Sequence, residues 1–448
     1  MNNMDVQILS RKLIRPSSAD HPKTMTFSLL DQIGPPQFYV SCLFYYLPSN
    51  GGDQGRDGGG NNVNNSARTN ERLQESLSET LTLFYPFAGR HSKENLFVDC
   101  NDEGAEYLEA QVGNCSLAQL LKDGLLESEL RRHLFALVLP SEYKQNTPVL
   151  KVQCNIFECG GLAVGVTLWR KIADAFTFFT FINSWATACR IGIEHVPSPN
   201  FELATIFPPG DLSSLKTIVP RKSEGNIVEK KFVFDGAVIS NLKAAASALG
   251  QLKHQPSRVE VVTAFLWEIL IKVSQARHGK LRSSFLAFSI NMRGKTMAAL
   301  PENCCGNFVI VAAAKHIPED GEEETVKLEP LVSKLHEGIR RRIADCAEVL
   351  NGDDLLTLTN RSFQEMGEAL KDEESDFFVI VSWCRFPMYE ADFGWGKPAW
   401  ASYVSTPAQR ILLSDTVDGD GIEAWIGVDE NSLQLFEQDP DIIAFTTN

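Results

Sequence analysis

A chain of 448 residues can bury more than one hydrophobic core, which excludes a single small domain. With 44% hydrophobic, 22% charged and 9% aromatic residues it is composed like a folded globular protein, not a fibrous, disordered or membrane-embedded one. A formal net charge of −15 repels phosphate backbones and anionic lipid, so neither nucleic acid nor membrane is expected as a partner.

In chain order, the N-terminal MNNMDVQILSRKLIRPSS has no apolar stretch behind its charges, and no later run approaches the ~18 apolar residues of a membrane span. A cytoplasmic protein is expected. Residues 49–66, SNGGDQGRDGGGNNVNNS, hold too little apolar surface to offset the entropy of ordering, and a flexible surface insertion is expected there. Val149 to Phe157 and Leu162 to Trp169 read as strands of a hairpin around Glu158-Cys159-Gly160-Gly161. Ala173 to Cys189 follows with Phe178, Phe181, Ile182 and Trp185 at helical spacing. From Val196 to Glu224, prolines 197, 199, 208, 209 and 220 break any helix, so the chain divides into an N-terminal domain (1–195), a crossover linker (196–224) and a C-terminal domain (225–448). Beyond the crossover, helical patterns at 239–248, 257–275 and 325–346 alternate with strand-like runs at 229–234, 284–290, 376–381 and 422–428. The mixture indicates α/β or α+β architecture with sheets covered by helices.

Metal and nucleophile motifs are sparse. The ten cysteines fit no zinc spacing and read as reduced thiols, so no metal is expected. In SDTVDGDGIEAWIG, a calcium-loop register through Asp418, Asp420 and Gly421 would put Thr416 and Gly427 where carboxylates are required; a hairpin turn fits better. There is no G-x-S-x-G elbow. The eight histidines sit mostly in polar settings, and His336 in KLHEGIRRR reads as lying on a solvated helix face.

The segment GVTLWRKIADAFTFFTFINSWA (165–186) carries more. Together with YPFAGR (85–90), NMRGK (291–295), Gly306-Asn307, SWCRFP (382–387) and DFGWGKP (392–398), in this order from about residue 5 to about residue 440, it resembles the plant BAHD acyltransferases. That resemblance implies a chloramphenicol-acetyltransferase-like fold, with two similar domains of mixed sheet joined by a long crossover and a channel at their interface. It implies acyl-CoA as co-substrate, no bound cofactor, an alcohol or amine as acceptor, and plant specialised metabolism as context. A monomer is expected. In the family an HxxxD motif at the strand-to-helix junction supplies a general base through its His, while its Asp pairs with an Arg of the second domain; here these positions resemble Asp174 and Arg293. Asp392, Gly394, Trp395 and Gly396 of DFGWG match an architectural element, and Trp383 a residue that donates its indole N–H to the tetrahedral oxyanion.

The departure lies four residues before Asp174, where Arg170 stands in place of the His and Trp169 in place of a neighbouring Ser. A guanidinium has no acceptor lone pair and stays protonated at neutral pH, so Arg170 is no general base. Losing a positioned base forfeits about 10²–10⁴ in rate. Both bulky residues are expected to narrow the channel near the thioester. Three readings follow: an acyltransferase with impaired or altered catalysis, a lyase or rearrangement enzyme whose carboxylate substrate meets Arg170 without CoA, and a catalytically inactive binding protein. Arg170 forming only a structural salt bridge to a carboxylate is the bland alternative for the residue itself.

Overall fold

The computed structural model describes residues 4–34, 36–48, 62–92, 96–122, 131–138, 141–144, 146–213, 215, 225–248, 250, 252–318, 326–404 and 408–446. Two compact units emerge, and they are not continuous halves of the chain. The first takes residues up to Pro209 together with Pro301–Asn307 and Phe386–Thr406; the second takes Gly210–Leu300, Phe308–Arg385 and Pro407 onward. DFGWG, expected in the C-terminal domain, therefore belongs to the first unit. The cause is strand pairing: residues 400–404 run antiparallel to residues 41–45.

The first unit is built on a six-stranded sheet ordered β1 (Asp5–Ile14), β6 (Ala105–Gly113), β7 (Leu150–Phe157), β8 (Leu162–Trp169), β3 (Tyr39–Tyr46) and β13 (Trp400–Val404). Only β6 and β7 pair in parallel. All eight residues of β8 are buried, and its one side-chain hydroxyl, on Thr167, is paired with Ser41 Oγ at 3.0 Å, as a strand covered on both faces demands. The β7–β8 hairpin closes as the sequence indicates: Gly160 takes φ +84°, and its N–H donates to the Phe157 carbonyl at 2.8 Å. A small sheet of β2 (Thr24–Thr26), β5 (Phe97–Asp99) and β4 (Arg90–His91) adjoins. Helix α1 spans Asn62–Leu83, so the last five residues of the expected insertion are helix, extended N-terminally from a well-formed amphipathic stretch; residues 49–61 lie outside the described residues. After α2 (Leu117–Lys122) comes α3 (Ala175–Ile191), whose Phe178, Phe181, Ile182 and Trp185 are all buried. The expected crossover is not structureless at its start. It holds a short helix, α4 (Leu203–Ile206), and packs Phe201 against Phe84, Tyr85 and Phe87; residues 216–224 lie outside the described residues.

The second unit holds another six-stranded sheet, ordered β11 (Val309–His316), β10 (Ser284–Asn291), β12 (Asp376–Ser382), β14 (Arg410–Asp415), β15 (Ile422–Asp429) and β9 (Ile227–Phe234), with β10, β12 and β14 parallel. Its main helices are α5 (Gly236–Ser247), α6 (Arg258–His278), α7 (Leu328–Ala347) and α8 (Gly352–Lys371). Capping boxes start α6 (Ser257 with Glu260) and α8 (Asn351 with Asp354), and Gly279 at φ +71° ends α6. The DGDG stretch is the β14–β15 turn. Thr416 Oγ1 accepts from Gly421 N–H at 3.0 Å, and Arg258 Nη1 donates to the Gly419 and Asp420 carbonyls at 2.6 and 2.9 Å. No described helix is long and apolar enough to cross a membrane.

Gly165 in the middle of β8 marks a close approach, since a Cβ there would lie 2.5 Å from the Leu134 carbonyl oxygen. Gly165→Ala should lower stability by about 1–3 kcal/mol, the usual cost of overpacking a core, read as a shifted midpoint in chemical denaturation with an unchanged slope.

Candidate active site at a strand-to-helix junction

β8 ends at Trp169 and α3 begins at Ala175, so residues 170–174 must turn the chain from sheet into helix. Asp174 is the α3 N-cap, 1% exposed, its Oδ1 accepting from Thr177 N–H at 2.9 Å. Thr177 Oγ1 in turn bonds both the carbonyl and the N–H of Gly306, each at 3.0 Å, which fixes the 301–307 segment on the first turn of α3. Gly306 sits at φ +128°, where a side chain is strained.

Arg170 is partly buried at this turn. Its N–H donates to the Phe38 carbonyl at 3.0 Å, and its Nη1 donates to the Ala173 carbonyl at 3.1 Å and to Asn307 Oδ1. Among the described residues Arg170 makes no ion pair, and its Nε–H and Nη2–H donors find no acceptor. Burial lowers the guanidinium pKa, while the carboxylates of Asp174 and Asp31 work in the opposite direction. The group remains a cation and a pure donor at neutral pH.

Asn307 is the hub. Its amide Nδ2 donates to Asp31 Oδ1 at 2.9 Å, to the Lys171 carbonyl at 2.6 Å and to the Arg170 carbonyl at 3.2 Å, and its backbone N–H also reaches Asp31 Oδ1 at 2.9 Å. Asp31, 1% exposed, completes its shell with Ser28 N–H at 2.9 Å and Ser28 Oγ–H at 2.7 Å. Burial raises its pKa, and these bonds oppose the rise. Lys171 donates Nζ to the Gln32 and Gly34 carbonyls at 2.7 and 2.8 Å, and burial pulls its pKa down to about 8, with Asp31 opposing.

Trp169 does not take the part its bulk suggested. It is 1% exposed, its indole N–H donates to the Pro36 carbonyl at 2.6 Å, and its ring packs on Phe27 and His91 with centroids 6.0 and 4.8 Å away. The first unit's own core absorbs the extra volume.

DFGWG lies in the same unit. Asp392 Oδ1 accepts from Gly394 and Gly396 N–H at 2.8 and 3.0 Å, and its Oδ2 pairs with Arg190 in the last turn of α3 at 3.3 Å. Gly394 and Gly396 take φ +109° and +105°. Phe393, fully buried, meets Trp185 of α3 edge-on at 4.8 Å, and Trp395 stacks on Phe393. Arg293 and Trp383 belong to the second unit. Arg293 follows β10, with its N–H and Nη1 on Asn291 Oδ1 at 3.1 and 3.2 Å; Trp383 follows β12, its N–H on the Leu413 carbonyl at 2.7 Å. The structure thus gathers Arg170, Asp174 and DFGWG around α3 in one unit and places Arg293 and Trp383 at strand ends in the other. Asp31, Asn307 and Lys171 received no role from the sequence. Asn307 was at least marked by its Gly306-Asn307 block, whereas SLLDQIGP carries nothing that distinguishes Asp31 from a surface aspartate.

The chain matches the model of the Transferase family over residues 4–443. It is 34% identical to acetyl-CoA-benzylalcohol acetyltransferase of Clarkia breweri, over 99% of this chain and 100% of that protein. It is 33% identical to limonoid 7-O-acetyltransferase of Citrus sinensis, over 99% and 98% of the two chains. Among solved structures it resembles vinorine synthase, with 31% identity, a TM-score of 0.79 and 99% and 98% of the two chains covered.

The depressed Lys171 pKa has a stability consequence. The folded chain gives up this proton near pH 8 and the unfolded chain near ~10.5, so folding is penalised below about pH 8 and the penalty is relieved as pH rises through that window. Urea denaturation at pH 7.5 and 9.5 should show wild type gaining on the order of 1–2 kcal/mol relative to Lys171→Met over that interval.

Proposed function

Because the chain belongs to the BAHD acyltransferase family, we propose that it moves an acyl group from coenzyme A to the hydroxyl of a small-molecule acceptor in plant specialised metabolism, with Arg170 as a hydrogen-bond donor where the family sets a general base. The observation that carries this reading is the state of Arg170: Nη1 is anchored on Asn307 and Ala173 while Nε–H and Nη2–H keep no protein acceptor among the described residues. Relatives named for benzyl alcohol and for limonoid hydroxyls favour an alcohol over an amine as acceptor.

In the reaction the acceptor oxygen attacks the thioester carbonyl carbon, a C–O bond forms, the C–S bond breaks, and the coenzyme A sulfur leaves as a thiolate that becomes a thiol. The hydroxyl proton passes to solvent or to that sulfur, since residue 170 takes none. The open donors of Arg170 suit the negative charge that develops on the carbonyl oxygen, and such preorganised donors contribute independently of proton transfer. The family resemblance assigns the indole N–H of Trp383 the same duty, Asp174 and Arg293 a supporting ion pair, and Asp392, Gly394, Trp395 and Gly396 an architectural role. Acyl-CoA is a co-substrate here, with no resident cofactor, and the chain acts as a cytoplasmic monomer.

The test is Arg170→His alone, because Trp169→Ser would empty a filled core position. With acetyl-CoA and a panel of benzylic and terpenoid alcohols, Arg170→His should raise kcat about 10²–10⁴-fold and confer a pH–rate profile rising through the imidazole range. If the variant binds acetyl-CoA as wild type does yet is no faster on any alcohol, the reading fails. The same open guanidinium fork also suits a carboxylate. Turnover of an anionic metabolite by wild type without coenzyme A, abolished in Arg170→His, would favour a lyase or rearrangement enzyme instead.

A further inference from the structure

Within the second unit, three metal-ligating side chains converge from separate places in the sequence: His254 in the loop before α6, Glu260 in the first turn of α6 and His336 on α7. One donor atom from each lies within 4.8 Å of the other two. The imidazoles of His254 and His336 stack with centroids 3.5 Å apart and planes 17° from parallel. His336 Nδ1 is 2.8 Å from Glu260 Oε1, and Glu260 Oε2 accepts from Ser257 N–H at 2.8 Å, so the α6 capping box fixes the carboxylate. His254 Nε2 is buried with no partner among the described residues.

One feature is unexplained by packing alone: a buried ring nitrogen without a partner is costly. A cation shared by two imidazoles and one carboxylate gives that nitrogen a partner, and this donor set suits zinc and similar first-row divalent ions. Nearly parallel rings 3.5 Å apart do not aim two in-plane lone pairs at one ion, so uptake requires the imidazoles to unstack until neighbouring donors, on bonds of about 2.0–2.2 Å, stand about 3.4 Å apart. The helix N-terminus beside Glu260 opposes a cation only a few-fold in affinity at a partly exposed site. No local motif announces the set, because His254 and Glu260 sit in a loop and a cap while His336 follows 76 residues after Glu260.

We propose that His254, Glu260 and His336 form a binding site for one divalent transition-metal ion of the zinc class, which ties the loop before α6 to α7 and takes no part in acyl transfer. Its ligands all lie in the second unit, and the site stands or falls independently of the reading of Arg170.

The full chain, stripped with a chelator and then freed of it, is titrated with Zn²⁺ by calorimetry and melted with and without the ion. One equivalent should bind with micromolar or tighter affinity and raise the melting temperature. His254→Ala and His336→Ala should each weaken binding at least tenfold and the double variant abolish it, while metal-free melting stays close to wild type. His336→Gln serves where the alanine variant misfolds, and Glu260 is left in place because it caps α6. Co²⁺ reports the ligand type: a visible spectrum without a thiolate-to-cobalt charge-transfer band supports the nitrogen and oxygen donors, and a strong thiolate band overturns the assignment in favour of cysteine. Absence of saturable Zn²⁺ uptake, or uptake unchanged in the double variant, also overturns it.

Discussion

The junction depends on one side-chain amide. Asp31 is a carboxylate sealed from water, and such a group is tolerated only where donors surround it. Asn307 supplies two of the four hydrogen bonds that Asp31 accepts and spends the rest of its amide on the carbonyls of residues 170 and 171. What it offers residue 170 in return is its own carbonyl oxygen, an acceptor. The site therefore asks for a donor at position 170, whatever the residue. An imidazole would answer with one N–H and leave the lone pair of its second nitrogen outward, the tautomer a general base requires. Arginine meets the same demand and has no lone pair left to offer. The surrounding shell thus meets Arg170 with an acceptor, and the loss of a proton acceptor at position 170 is confined to that side chain.

The second constraint is the helix that follows. α3 is held at its N-terminus by Asp174 and, through Thr177, by the 301–307 segment. At its C-terminus Arg72 donates from Nε and Nη2 to the Cys189 carbonyl at 3.0 and 2.7 Å, and Arg190 pairs with Asp392. Between the ends, Trp185 donates its indole N–H to the Leu73 carbonyl and Ser76 Oγ and meets Phe393 edge-on. Asp392, bonded to two backbone N–H groups of its own turn, reaches the chemistry only by bracing the far end of the helix whose first turn carries Asp174. This is why a motif more than 200 residues downstream of the junction belongs structurally to it.

The legibility of all this follows from interaction range. The hairpin, α3 and the main elements of the second unit were readable because their periodicity is written within a dozen residues: Phe178, Phe181, Ile182 and Trp185 announce a helix whatever surrounds it. Pairings that span the chain were not. Nothing local in WASYV says that it docks on β3, so sequence order alone puts DFGWG with the C-terminal domain, whereas strand pairing puts it in the first unit. Asp31 was silent for the same reason, since its meaning lies in a contact with Asn307, 276 residues away. Trp169 misled in another way: residue volume is legible in a sequence, but the direction in which a side chain leaves a strand end depends on what fills each side.

Two groups beside the junction do carry the lone pair that Arg170 lacks, and their environments decide against them. Lys171 has the right pKa, about 8, but its Nζ is committed to the carbonyls of Gln32 and Gly34, and the side chain is buried. His91 is held neutral by burial and by the nearby Lys171 charge, its Nδ1 engages Tyr143 Oη at 2.5 Å, and its ring lies against Trp169. Lys171 is tied to two backbone carbonyls, so moving its proton would disturb bonds that hold residues 32–34, while His91 Nε2 makes no hydrogen bond among the described residues and is enclosed in the core of the first unit. On the proposed reading, positioning and charge stabilisation therefore remain as the terms this junction would supply, acting on the transition state without any protein group changing protonation. A chain working this way would turn over slowly and show no inflection in its pH–rate profile in the imidazole range, because neither Arg170 nor an indole titrates there.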